Sequence, residues 1–280
     1  MRLITAVLAL LLGFFAVAPA QAADELSTGF LPDGHVFRSL IADPRWPHFA
    51  ASYQYYLNDP KLGDVAAVSF GESFTLYRDK LGTGSWEAGF QGGVFAFFDL
   101  DAESKDLINA DYMAAVTVAY RLDHFSALGR LFHQSSHLGD EFLLSNRVKN
   151  RVNLSYEGVD LRLSYDFFDD ALRVYGGEGY LFDVEPARLK PWSLQSGVEF
   201  RSPWPGPGAM FRPIAAVDLQ YRQENDWHVD LSARAGIEFQ GVLAGRNLQL
   251  LLEYFRGHSP NGQFYTDKID YIGLGLHFNF

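Results

Sequence analysis

The sequence predicts an all-β, antiparallel transmembrane β-barrel of about twelve strands, and three observations carry that prediction. From His48 onward the chain is a succession of runs, each about ten residues long, in which apolar and polar residues alternate, the period-2 pattern of a strand with one apolar face. The other face carries Arg, Asp, Glu and Gln in most runs, more charge than a sandwich core could desolvate, whereas a barrel turns it to a polar lumen. The last run alternates Ile272, Leu274, Leu276, Phe278 and Phe280 to a terminal aromatic. A soluble secreted sandwich with one solvated face is the competing architecture.

Residues 1–22 read as a secretory signal peptide. Arg2 precedes an apolar run from Leu3 to Val17, and Ala20-Gln21-Ala22 is a small-x-small cleavage site, so the mature chain is expected to begin at Ala23. A membrane-anchoring helix fits less well because the apolar core is short. The formal net charge is −11, and removing Arg2 with a segment that holds no acid leaves about −12. Such a chain is a poor nucleic-acid binder. It contains no cysteine, which excludes disulfides and thiol chemistry.

Residues 23–47 lack periodicity and contain Pro32, Pro44 and Pro47; they read as a periplasmic leader that covers the barrel mouth, with residues 48–280 forming the barrel. The strands expected in order are His48–Leu57, Val65–Tyr77, Trp86–Phe98, Asp111–Arg121 and a fifth from Phe125. In that fifth strand Phe125, Ala127, Gly129 and Leu131 form one face, while Ser126, Arg130 and Gln134, interrupted by Leu128 and Phe132, form the other. Next comes Arg147–Phe168, in which Val148, Val152, Leu154 and Tyr156 read as apolar and the phase slips near Glu157-Gly158, as at a β-bulge. Ala171–Phe182, Trp192–Arg201, Arg212–Arg222, Trp227–Phe239, Asn247–Arg256 and Ile269–Phe280 complete an even count. With both termini periplasmic, the tight links at Leu122–His124 and Asp169-Asp170 fall on the periplasmic side and the fifth strand rises outward. A lumen of about twelve strands is narrow enough for its charged side chains to fill by ion pairing.

The stretch from His133 to Glu141 carries the candidate chemistry. His133 and Ser135 continue the apolar row of the fifth strand, about 6.5 to 7 Å apart at Cα, so an imidazole and a hydroxyl stand together on a lipid-facing wall. A serine becomes a nucleophile when a base takes its proton and a third group orients that base. Asn146 and Asn150 on the next strand, or Glu141 in the loop, are candidates for that third group. An interfacial belt of polar residues with no chemistry explains the same pair. His133 and His137 lie about 13 Å apart along a strand, too far for a zinc pair. Asp140 and Glu141 offer hard oxygens for Ca²⁺, with a solvated acid pair as the plain alternative. Gly176-Gly177-Glu178-Gly179 lacks the strand-turn-helix context of a dinucleotide loop.

His133-Gln134-Ser135 resembles the active strand of outer-membrane phospholipase A, where His-x-Ser at the outer end of a strand is completed by Asn on the next strand of a twelve-stranded barrel. It is also similar to the outer-membrane lipid A deacylase, which uses His-x-Ser with a Glu. Ser136 stands where the phospholipase pattern has Asn, and the spacing to Asn146 or Asn150 is not that family's. The resemblance implies hydrolysis of lipid acyl esters, of phospholipid or lipid A, and favours Ca²⁺ as cofactor. The terminal Phe280 resembles the signature by which barrel-assembly machinery recognises its clients. Over the mature chain, Phe37-Arg38-Ser39-Leu40-Ile41-Ala42-Asp43-Pro44-Arg45 and Ser136-His137-Leu138-Gly139-Asp140-Glu141 resemble an uncharacterised family of bacterial outer-membrane proteins, a domain of unknown function. That likeness implies a location and a barrel and no activity. Expected partners are outer-membrane lipids, the assembly machinery and a second copy of the chain; the alternative to an esterase is a non-catalytic barrel, either a narrow pore or an envelope-stabilising protein.

Overall fold

The computed structural model describes residues 26–57, 62–144, 152–206, 208–243 and 246–279. A two-residue strand, β1 (Gly29–Phe30), is followed by β2 (Phe49–Tyr56), β3 (Asp64–Leu81), β4 (Gly84–Asp99), β5 (Leu107–Leu122) and β6 (Phe125–Leu138). A one-turn helix, α1 (Asp140–Leu144), precedes β7 (Leu154–Phe167), β8 (Leu172–Glu185), β9 (Trp192–Arg201) and β10 (Phe211–Arg222). The chain ends in β11 (Val229–Leu243), β12 (Arg246–His258) and β13 (Lys268–Asn279). Each of β2 to β13 pairs antiparallel with its neighbour in sequence, and β13 pairs back onto β2, so twelve strands close with no free edge.

Alternation sets the two faces. Phe70, Phe74, Val118, Leu131, Leu252 and Ile272 are exposed on the outer wall, where lipid would cover them. Inward, charge is paired with charge. Asp160 accepts from Arg130 at 2.7 Å and lies 2.6 Å from Arg162; Arg201 donates to Glu199 at 2.8 Å; Tyr175 donates to Asp218 at 2.6 Å. This is the ion-paired lumen that the polar face of the sequence implies.

Two expectations are corrected. β7 begins at Leu154, and its side chains alternate without a slip: Leu154 is buried and Tyr156 lines the lumen, while Ser155 and Glu157 lie in the same outward row as Val159 and Leu161. The extra residue belongs to the partner strand. Glu157 pairs with Asp183 and Gly158 with Leu181, so Phe182 is the bulged residue, on β8.

The leader does not stop at the mouth. After β1 pairs with Tyr77 and Arg78 of β3, residues 35–47 run inside the barrel. Val36 and Ala42 are fully buried, and Trp46 is 1% exposed. Val36, Phe37, Leu40 and Trp46 pack on Ala119, Leu128 and Tyr175; Ile41 and Ala42 pack on Ile214, Ala216 and Leu251. Leu128, which broke the polar face of the sequence, is thus a seat for the leader. Irregular backbone inside a barrel needs partners from the wall, and it has them. Val36 N donates to Glu87 at 3.1 Å, Ile41 N donates to Glu199 at 2.6 Å, and the Arg38 and Ile41 carbonyls accept from Arg173 at 2.9 Å and Arg234 at 2.8 Å. Arg38 donates to Asp166, and Arg45 sits 3.0 Å from Asp111. Burial, followed by the nearby Arg201, brings the Arg38 guanidinium down to about 10, so it stays charged at neutral pH. The leader is a plug.

Candidate active site on the outer wall

β6 rises to Leu138 at the end of the barrel that carries the longer connections. Its outward row runs Leu131, His133, Ser135, His137, in the phase the sequence predicts, with Leu131 52% exposed. The strand is stopped by Gly139, where a side-chain carbon would stand 1.8 Å from the Leu107 carbonyl oxygen; its own N–H donates to Ile108 at 3.0 Å. α1 then turns the chain across the barrel end. Phe142 packs there with the Phe264 ring 6.0 Å away, within an apolar layer that includes Ile108 and Leu138.

The antiparallel register decides what His133 meets. Opposite it on β7 is Glu157, and opposite Ser135 is Ser155. On the other side, β5 places Ala114 against His133 and Tyr112 against Ser135. His133 Nδ1 lies 2.8 Å from Glu157 Oε1, with the two side chains 48% and 38% exposed on the outer wall. A carboxylate only accepts, so Nδ1 carries the proton and Nε2 presents a lone pair outward, the tautomer a general base needs. Ser135 stands two residues further along the same row; among the described residues no hydrogen bond yet joins it to His133. Catalytic hydrogen bonds of this kind are often completed only when substrate is bound.

Glu157 is the residue that sequence reading missed. Its neighbours Leu154 and Tyr156 look lipid-facing because they are apolar, so the phase slip falls at Glu157-Gly158 and Glu157 receives no face. The unbroken row Ser155, Glu157, Val159, Leu161, Leu163 was the signal that could have placed it outward. Asn146, Asn150 and the terminal Phe280 lie outside the described residues, as do residues 1–22, which the sequence reading assigns to a signal peptide. Asp140 and Glu141 open α1 and are both exposed. Among the described residues no group of three or more His, Asp or Glu is arranged to hold a metal ion. The ring of His137 meets Tyr112 edge-on at 5.7 Å rather than turning to His133.

Residues 14–280 match the model of a family described as a protein of unknown function, DUF1207, and the chain belongs to that family. No curated protein matches the sequence. Among solved structures, outer membrane phospholipase A from Escherichia coli superposes with a TM-score of 0.58 at 13% identity, over 85% of this chain and 93% of that one. The Salmonella typhi outer membrane phospholipase, solved as a dimer with bound calcium, gives 0.59 at 12% identity over 86% and 94%. An E. coli structure of the same enzyme carrying an active-site asparagine-to-alanine change gives 0.56 at 12% identity over 92% and 95%. At these identities the likeness shows the fold, that of outer-membrane barrels.

Proposed function

We propose that the outer wall of β6 and β7 is the active site of a hydrolase acting on lipid acyl esters, with Ser135 as nucleophile, His133 as base and Glu157 as the group that orients the base. The observation that supports it is the 2.8 Å contact between His133 Nδ1 and Glu157 Oε1, a hydrogen-bonded pair on a lipid-facing wall with Ser135 the next side chain along the row. In the reaction His133 Nε2 takes the Ser135 proton as Oγ attacks the acyl carbonyl, then passes it to the departing alcohol. Water, deprotonated by the same nitrogen, releases the fatty acid and restores the serine. Glu157 keeps the tautomer and offsets the imidazolium charge in both halves. A carboxylate in this position is the third group of the lipid A deacylase pattern, where the phospholipase pattern has an asparagine. The reading includes export through a signal peptide ending at Ala22 and assembly in the outer membrane through the terminal Phe280.

The test is acyl release from phospholipid and from lipid A in detergent, with and without Ca²⁺ and over a range of protein concentration. Ser135→Ala should lower turnover by about 10³-fold or more while the barrel still folds, judged by heat-modifiable gel migration. Equal release by wild type and Ser135→Ala would end the proposal. No release from folded wild type under any of these conditions would leave the non-catalytic barrel, a reading favoured by the plug that fills the lumen.

A further inference from the structure

The barrel wall is notched beside β3, at the rim that carries the short turns, the periplasmic one in an outer-membrane barrel. Pairing of β2 with β3 starts where Tyr55 meets Asp64 and stops at Ala50 and Ser69. β3 runs on from there to Leu81, paired along its other side with β4. Its edge is taken up again by β1, at Tyr77 and Arg78. Between Gly71 and Thr75 no strand among the described residues pairs with that edge. The chain that would fill the place is inside the lumen as the plug. It leaves the wall after β1 and returns at Pro47, whose Cα lies 3.0 Å from where a side-chain carbon on Gly71 would stand. On the far side of the notch, β13 pairs with β12 as far as Asn279 and Asn247.

Behind the notch lies a vestibule of about 760 Å³, and its lining shows that it opens sideways. Phe70, Glu72 and Phe74 form the outward row of β3, while Ser73 turns inward and accepts from Gln91 at 2.9 Å. Glu72, Ser73 and Phe74 all line the vestibule, so its space passes round the unpaired edge from the lumen to the outer wall. The mouth lies at the depth of hydrocarbon. Phe74 pairs with Phe90, and Phe90 with Val116, all three exposed on the lipid-facing wall. The aromatic cluster of Phe30, Tyr77 and Trp86 sits nearer the short-turn end, as an interfacial belt does. A carboxylate such as Glu72 is costly on an outward row at this depth unless a polar space adjoins it. Four guanidinium groups, on Arg38, Arg201, Arg212 and Arg246, line that space together with the carboxylates of Asp33, Glu72 and Glu238. Arg201 donates to Glu199 at 2.8 Å and Arg212 to Glu238 at 2.7 Å, which engages only part of the five N–H donors each carries. Arg246, at the start of β12, acts on the Glu72 carboxylate from across the notch.

We propose that the notch admits one phospholipid of the inner leaflet, with its headgroup in the vestibule and its acyl chains on Phe70 and Phe74. The headgroup is a zwitterionic phosphoethanolamine: its phosphate meets Arg212 and Arg246, and its ammonium meets Glu72. Guanidinium and phosphate match through paired charge-assisted hydrogen bonds. A lining of both signs suits a headgroup of both signs. The aromatic flank of the mouth suits a ligand that carries chains over a soluble anion. The site is separate from the outer wall of β6 and β7, and it forms with the plug in place.

The test is native mass spectrometry of the full refolded chain in detergent, titrated with a dialkyl ether phosphatidylethanolamine, which counts the lipids kept by each barrel. An ether lipid has no acyl ester, so hydrolysis at Ser135 cannot consume it and the result does not depend on that activity. Wild type should retain one lipid per barrel at saturation. Arg246→Glu should raise the concentration needed by about tenfold or more, the worth of a charge-assisted hydrogen bond. Arg256→Glu, toward the other end of β12, is the control and should stay within about twofold of wild type. Heat-modifiable migration on gels establishes that each variant is folded. Folded wild type that shows no saturable retention overturns the proposal. So does an Arg246→Glu variant that binds no more weakly than Arg256→Glu. Glycerophosphoethanolamine and inorganic phosphate are added as competitors. Displacement of the lipid by either at concentrations comparable to the lipid's own would make this a site for a soluble anion and overturn the lipid assignment.

Discussion

Arg130 and His133 lie three residues apart on β6, and each faces a carboxylate three residues apart on β7, Asp160 and Glu157. Three positions along a strand change the face, so one pair points into the lumen and the other out. The inner pair is 8% exposed on both sides, and its members have further partners in Gln91 and Arg162. The outer pair is 48% and 38% exposed, and Ser135 is the next side chain along its row. A closed barrel with an occupied lumen requires charges like the inner pair, because removing one partner strands the other away from water. It has no such need of charges on the wall that meets lipid, where Leu131 and Val159 serve. Under the proposed function, the difference separates residues that build the molecule from residues that act.

The largest expected effect lies inside. Asp160→Ala leaves Arg130 and Arg162 facing one another without their common carboxylate, and should cost about 3–5 kcal/mol in urea unfolding of the refolded barrel. Acyl release per folded molecule should hold. If release falls as far as stability does, the two faces are not independent and the comparison fails. Outside the order reverses. Glu157→Ala should lower turnover by about 10²-fold, within the range of a mispositioned base, and leave the unfolding midpoint nearly unmoved, because both partners are open to the surroundings. A turnover unchanged in Glu157→Ala would reduce the outer pair to an interfacial contact.

How much of this was legible in the sequence follows the same division. Alternation tells which residues share a face, so the twelve strands, the outward row of His133 and Ser135 and the charged lumen could be read directly. Alternation does not tell register. Which β7 residue meets His133 depends on the length and course of the connection from Leu138 to Leu154, and polarity misled there because Leu154 and Tyr156 are apolar residues that face inward. The plug was hidden for a related reason. Phe37 to Arg45 has no strand or helix period, and its buried state is set by side chains far along the chain, Glu87, Arg173, Glu199 and Arg234. The apolar intrusion at Leu128 in the polar row of β6 was the trace it left.

The smallest effect sharpens the assignment of Glu157. Across the next ladder it also faces Asp183, a like charge directly opposite on the same wall, and Glu185 lies opposite Ser155. If Glu157 belonged to a general acidic rim, removing a neighbouring carboxylate would weaken the site together with it. If Glu157 belongs to His133, Asp183 is only a repulsive neighbour, and Asp183→Asn should stabilise the barrel by a few tenths of a kcal/mol, the scale of a cross-strand like-charge pair, and leave acyl release within about twofold. The gain should fade in high salt, which screens exposed charges. A loss of release comparable to that of Glu157→Ala would move the orienting role from one carboxylate to the pair.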